Sequence, residues 1–169
     1  MILCRSISEW RALQSAFAGR SLGLVPTMGA LHAGHLSLVQ RSQRENAVTV
    51  VSIFINPTQF DQAQDLERYP RQNERDLALL KGVAVDAVFL PARDEIYPDD
   101  YHYRVSESEL SLRLCGAHRP GHFDGVLTVV MKLLNIVRPT RAYFGEKDYQ
   151  QLLLVRGMAW AFFMETEIV

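Results

Sequence analysis

The sequence predicts an α/β domain with a doubly wound parallel sheet and helices on both faces. Three observations carry that prediction. Short apolar runs alternate with helical patterns along the chain, in a βαβαβ…αβα order. The strongest run, residues 47–55, is apolar on both alternating faces, as a central strand of a parallel sheet must be. The runs also stop at proline, glycine or asparagine, leaving short connections of the kind that join parallel strands through helices.

Each element has a local reason. Ser6 and Glu9 stand at capping-box spacing, and Trp10, Leu13 and Phe17 follow at helical spacing, with Gly19 able to end the helix. Leu22–Val25 is a short strand that Pro26 is expected to stop. A glycine-bearing stretch, 27–34, leads into a helix carrying Leu36, Leu38, Val39 and Gln43. After the strand at 47–55, Asn56-Pro57 breaks the run. Residues 61–71 are polar and read as a loop with a short helical turn. Asn73 is expected to cap a helix bearing Leu77, Leu79 and Leu80 and ending at Gly82. Residues 85–90 form a strand ended by Pro91. The long segment 91–125 breaks the rhythm, as a functional loop or lid does. Within it, Ser106 and Glu109 predict a short helix over 106–114. A helix over 122–137, a strand over 141–144, a helix over 146–164 and the opening of another strand at 167–169 complete the chain.

Composition bounds the remaining choices. The 169 residues make one domain, 48% hydrophobic and 22% charged, which excludes collagen-like, disordered and disulfide-scaffold classes. Eighteen Lys and Arg against nineteen Asp and Glu give a net charge of −1, which argues against nucleic acid as a partner. Cys4 and Cys115 are too few and too far apart for a disulfide framework or a Cys-x-x-Cys pair, and read as buried or half-buried thiols. Residues 1–20 lack a basic leader followed by an apolar stretch, and no uncharged apolar run approaches the membrane-spanning length of roughly 18 residues. The expectation is a cytoplasmic protein with no membrane association.

Ligands of doubly wound sheets bind beyond the carboxyl ends of the strands. The first such loop is Pro26-Thr27-Met28-Gly29-Ala30-Leu31-His32-Ala33-Gly34-His35. Its glycines let backbone approach a ligand, and free N–H groups at the following helix start favour an anion. His32 and His35 stand three apart there. Capping and packing of the loop, or a metal pair, are alternative readings of the two rings. Neither a P-loop nor a dinucleotide fingerprint is present. Asn56 and Gln59 follow the second strand, where turn chemistry competes with ligand recognition. Gly145, Glu146, Lys147 and Asp148 follow the strand at 141–144. Lys147 could meet a phosphate or pair with Glu146 or Asp148.

At these residues the chain resembles the pantoate–β-alanine ligase family, within the nucleotidyltransferase-like superfamily that carries a His-x-Gly-His motif. The resemblance lies in PTMGALHAGH (26–35), VSIFINPTQF (51–60), YPR (69–71), EIYP (95–98), RPGHFDGV (119–126) and YFGEKDYQQL (143–152). It implies a Rossmann-like fold and an ATP- and Mg²⁺-dependent reaction in two steps. Pantoate and ATP give a pantoyl adenylate and pyrophosphate; β-alanine then gives pantothenate and AMP. It implies catalytic roles for His35, His32 and Lys147. Residues 26–35 and 145–148 become ATP-binding segments. Met28, Asn56, Gln59 and Gln151 contact pantoate, Gln59 also lies near β-alanine, and Asp76 is a candidate Mg²⁺ ligand. Met28, Phe60 and Val129 or Val130 could wall an apolar pocket, with helix core as the other reading of the valines. Neutral imidazole donors are expected at the helix start, where its field disfavours imidazolium.

The resemblance places residues 1–169 on the family's N-terminal ATP- and pantoate-binding domain. A Ser-Ser-Arg segment and a smaller C-terminal domain belong to the family but not to these residues. A homodimer is the family's usual state. The competing readings are a nucleotidyltransferase for another small substrate and a domain that binds without turnover.

Overall fold

A computed structural model describes all 169 residues, Met1–Val169. Six parallel strands form one sheet: β1 (Ile2–Cys4), β2 (Leu22–Thr27), β3 (Val48–Ile53), β4 (Ala87–Phe89), β5 (Arg141–Ala142) and β6 (Glu167–Ile168). Their spatial order is β1-β4-β3-β2-β5-β6, so the chain winds outward in both directions from β2. The reversal falls between β2 and β5, which makes a crevice at their carboxyl ends the natural ligand position.

Seven α-helices connect the strands: α1 (Ile7–Gln14), α2 (Ala33–Glu45), α3 (Ala63–Arg68), α4 (Asn73–Gly82), α5 (Arg93–Ile96), α6 (His122–Val137) and α7 (Tyr149–Ala161). Alternation along the strands sorts the core into two layers. Leu22, Leu24, Val48, Val50, Ala87 and Phe89 lie in one cluster with Trp10 of α1 and the buried faces of α6 and α7. Val25, Val51, Ile53 and Val88 lie in the other, with Val39 of α2 and Leu80 of α4. The period of two along each strand therefore produces the helices-on-both-faces arrangement. Trp10 is fully buried and its indole N–H donates to the Ile136 carbonyl at 3.0 Å, tying α1 to the end of α6.

Several local expectations are corrected. Pro26 does not stop its strand: β2 runs through it to Thr27 and pairs with β3 along its whole length. Residues 22 and 24 accept from the β5 side, through Thr140 N and Tyr143 N. Residue 26 faces the same way, just past the end of the β5 ladder, so its missing N–H breaks no existing rung. Strand β1 has no counterpart in the sequence pattern; three residues are too few to show a period. Asn73 is the first residue of α4, and the cap position, Gln72, makes no side-chain cap bond. No helix spans 106–114. The Glu107 carboxylate instead accepts from the backbone N–H groups of Glu109 and Ser111, and 3-10 turns follow at Leu110–Leu112 and Leu114–His118. A side chain that ligates local N–H groups competes with helix propagation. Residues 146–148 form a 3-10 turn, with α7 starting at Tyr149. Cys4 is buried, but Cys115 is exposed rather than buried or half-buried. No helix is long and apolar enough to cross a membrane.

Candidate active site

The loop after β2 is set by its backbone. Gly29 (φ +84°) and Ala30 (φ +52°) both adopt the left-handed conformation, which glycine tolerates and alanine resists. Asp76, fully buried on α4, holds this turn. Its two carboxylate oxygens accept from Ala30 N and Leu31 N, each at 2.8 Å. A Cβ on Gly29 would stand 3.0 Å from Asp76 Oδ2, so glycine is also needed for the close approach. Asp76 is thus a solvent-inaccessible carboxylate engaged at both oxygens, which gives it the part of a loop anchor. No group of three His, Cys, Asp or Glu side chains converges into a metal site. Thr27 braces the strand end, donating from Oγ1 to Ser52 O and accepting from Gly29 N.

His32 caps α2 and His35 completes a capping box. His32 Nδ1 accepts from Gly34 N at 3.1 Å, and His35 Nδ1 accepts from His32 N at 3.4 Å. A nitrogen that accepts an N–H carries no proton, so each neutral ring is protonated at Nε2 and keeps that N–H free to donate. The ring centroids are 4.1 Å apart. A Cβ on Gly34 would come within 2.9 Å of the His32 ring, which explains the glycine between the histidines. Burial, then His32 and the Lys147 ammonium, hold the His35 pKa below its ordinary value of 6.5 against the opposing pull of Asp76. Capping and donation thus coexist: one nitrogen of each ring serves the helix, the other is free.

Lys147 is exposed and forms neither of the expected pairs with Glu146 or Asp148. Gly145 precedes it in extended conformation, and Glu146 and Asp148 are exposed beside it. Met28 is half-buried at the end of β2. Gln151 is half-buried in the first turn of α7, and its amide makes no hydrogen bond within the chain. Its neighbour Gln150 is buried, accepting from Cys115 N and donating to Leu110 O and Arg113 O. Successive helical residues point about 100° apart, so one glutamine is structural and the other open.

After β3, Asn56 is almost fully buried and its amide is committed to protein partners. Nδ2 donates to Gly125 O and Gln59 Oε1; Oδ1 accepts from Tyr97 Oη at 2.7 Å and from Thr58 Oγ1 and N. Asn56 thereby supports the Gln59 side chain. Burial pushes the Tyr97 phenol up to about 12, so it remains a donor to Asn56. Phe60 packs edge-on against Tyr69, ring centroids 5.6 Å apart. Val129 and Val130 are buried in the larger core cluster, and helix core is the reading that holds. Tyr97, Gly125, Gln150 and His122 lie in segments that carry the resemblance, but no spacing in the sequence gives their supporting contacts. Their partners lie far away along the chain, where spacing carries no signal.

The strand order, the neighbouring ends of β2 and β5, and two imidazoles at a helix start define a Rossmann-like α/β domain with polar groups gathered at its strand ends. Comparison with known proteins makes the class specific. The family model described as pantoate-beta-alanine ligase matches residues 2–169, and the chain belongs to that family. A pantothenate synthetase from Bdellovibrio bacteriovorus is 56% identical over 165 residues, covering 98% of this chain and 65% of that protein. One from Coxiella burnetii is 53% identical, covering 97% and 63%. The chain thus spans just under two thirds of the length of these relatives. The crystal structure of a pantoate-beta-alanine ligase from Francisella tularensis, complexed with beta-gamma ATP and beta-alanine, superposes with a TM-score of 0.98 at 43% identity, over 100% of this chain and 66% of that one. A pantothenate synthetase from Thermus thermophilus gives 0.94 at 49% identity, over 100% and 60%.

Proposed function

We propose that this chain is the ATP- and pantoate-binding domain of a cytoplasmic, homodimeric pantoate–β-alanine ligase. The observation that carries this reading is the His32–His35 pair: two rings 4.1 Å apart with both Nδ1 atoms engaged by the α2 start and both Nε2–H groups free. The neighbours' names, and the ATP and β-alanine in the Francisella complex, support the assignment.

In this reading pantoate's carboxylate attacks the α-phosphorus of ATP, displacing pyrophosphate. Negative charge grows on the α-phosphate oxygens and on the leaving group. His32 and His35 donate to those oxygens as neutral groups, so stabilisation needs no proton transfer from either ring. Lys147 balances the triphosphate as a mobile point charge. Residues 26–35 and 145–148 frame the nucleotide from two strand ends. Gln59 and Gln151 offer amide donors and acceptors to pantoate's hydroxyls and carboxylate, and Met28 gives an apolar wall. The amine of β-alanine then attacks the acyl carbon, releasing AMP and leaving pantothenate. The side chains present form no cage for Mg²⁺, so the ion would travel on the triphosphate oxygens, where it offsets charge.

The test is calorimetric titration with Mg²⁺-ATP and, separately, with D-pantoate, followed by pantoate-dependent pyrophosphate release. Binding of both ligands is expected. Binding of neither by a folded chain overturns the assignment. Pyrophosphate release stimulated by a phosphorylated alcohol and not by pantoate identifies a different nucleotidyltransferase. In the full-length enzyme, His35→Ala should lower turnover about 10²–10³-fold, the scale of one lost transition-state donor. Wild-type turnover would remove His35 from the chemistry. Light scattering decides the dimer.

A further inference from the structure

We propose that His122 is a positioning residue for Gln59: its neutral ring, protonated at Nδ1, grips the Gln59 backbone carbonyl and so fixes where the Gln59 side chain meets substrate. The inference rests on the reading of Gln59 as a pantoate contact.

Gln59 is the last residue of the 3-10 turn Pro57–Gln59. Carbonyls at such an end lack a partner within the turn. The Gln59 carbonyl finds none elsewhere in the backbone. It accepts instead from His122 Nδ1 at 2.8 Å and, more distantly, from Arg119 Nη2 at 3.5 Å. The Gln59 side chain is held from the other side, where Oε1 accepts from Asn56 Nδ2 at 3.0 Å. The first turn of α6 presses on the same place: a Cβ on Gly125 would stand 2.8 Å from Gln59 N. The turn is thus gripped at its carbonyl and backbone by the first turn of α6, and at its amide side chain by its own cap residue Asn56.

The partners fix the ring's protonation state. A carbonyl only accepts, so Nδ1 must carry a proton. Nε2 lies 3.1 Å from Arg119 Nη1, and a guanidinium only donates, so Nε2 must be bare. The two contacts require one neutral tautomer, the opposite of that in His32 and His35. Arg119 is held in turn by Asp61, 3.3 Å from its Nε. The charged groups acting on the ring are Arg119 before α6, Asp61 after the Gln59 turn, and Asp148 in the turn before α7. Adding a proton at Nε2 turns an acceptor for Arg119 into a donor against it. The Arg119 arm of the grip then fails, although Nδ1–H persists. Burial, against the opposing pull of the Gln59 carbonyl and with Arg119 set against Asp61 and Asp148, holds the ring's pKa below its ordinary value, which keeps Nε2 bare toward Arg119 near neutral pH. RPGHFDGV thereby gains a physical role, in which Arg119 and His122 hold the Gln59 carbonyl and Gly125 lets α6 close on the turn.

The experiment combines ring ¹⁵N shifts with D-pantoate titrations of the 169-residue chain. At pH 7.5 His122 should show a protonated Nδ1 and a bare Nε2, and the Gln59 carbonyl ¹³C shift should follow the His122 titration. His122→Ala should weaken pantoate binding about tenfold, the scale of one lost hydrogen bond, with Mg²⁺-ATP affinity unchanged. His122→Asn, which keeps an N–H near the Nδ1 position but cannot titrate, should stay within about threefold of wild type. It should also lose the weakening that wild type shows between pH 7.5 and 5.5. Melting temperatures confirm that each variant is folded. A bare Nδ1, a stationary Gln59 carbonyl shift, unchanged pantoate affinity in His122→Ala, or equal losses in the Ala and Asn variants would each overturn the proposal. If wild type binds no pantoate, the substrate reading of Gln59 fails, while the two NMR measurements still decide whether the grip exists.

Discussion

Two buried or half-buried imidazoles, His35 and His122, are held neutral by their surroundings, and this couples acidity to stability. Both have folded pKa values below the ordinary 6.5. Between the folded and unfolded values the unfolded chain binds more protons, so stability rises with pH there. The contribution is complete above about pH 6.5 and is lost as pH falls through the folded values. Melting temperature should therefore drop between pH 7 and 5, and His35→Gln combined with His122→Asn should flatten that drop; equal slopes would contradict it. Asp99, held at about 2 by Lys132 and the Tyr103 N–H, acts in a separate, more acidic window. At the same scale, Asp76→Asn replaces an oxygen that accepts a loop N–H with an NH₂ facing it. The cost should be about 2 kcal/mol, or a fall of roughly 4–8 °C in Tm, with weaker Mg²⁺-ATP binding. An unchanged Tm would show that the loop keeps its shape without this anchor.

Helices α2 and α6 each bring a glycine against a functional turn. Gly34 clears room for the His32 ring, and Gly125 lets α6 lie against Thr58 and Gln59. Gly125→Ala should cost about 1–3 kcal/mol by overpacking and weaken pantoate binding more than ATP binding; calorimetry on both ligands separates the two effects. Equal losses would place the damage in the fold rather than at Gln59. The long helix α6 is readable in the sequence to its ends, because eight large apolar residues among its buried ones repeat along the helix. Strand β1, three residues at one sheet edge, is defined by pairing with β4 rather than by an apolar period, whereas β6 forms at the other edge within the expected 167–169. The helix expected over 106–114 does not form because Glu107 binds the N–H groups that a helix would need. In the site, the ligand-facing loops are legible from polar residues at strand ends and from the resemblance. Their supports are not: Tyr97 reaches Asn56 across 41 residues, His122 reaches Gln59 across 63, and Gly125 reaches Asn56 across 69. No local spacing encodes such contacts.

At the scale of the molecule, the doubly wound order places the loops of β2, β3 and β5 side by side, so three stretches far apart in sequence share one edge of the sheet. The two cysteines offer a probe of the whole fold. Cys115 is exposed, whereas Cys4 is buried in β1 beneath α1, with burial and Glu9 raising its thiol pKa. Iodoacetamide should modify Cys115 promptly and Cys4 only as the chain opens, so the slow phase reports the stability of the sheet edge. Equal labelling rates would mean that β1 detaches readily from β4.

Pro26 has a consequence at the carboxyl end of β2. The next rung between β2 and β5 would run from the N–H of residue 26 to the carbonyl of a β5 neighbour, and proline has no such hydrogen. The β2–β5 ladder therefore lacks that rung, and its last paired residue on β2 is Leu24. The end of that ladder is marked by a donor that the chain lacks, a device that costs no side-chain volume. Restoring a hydrogen there, as in Pro26→Val, should lengthen the β2–β5 ladder by one rung, read as slow exchange of the new amide.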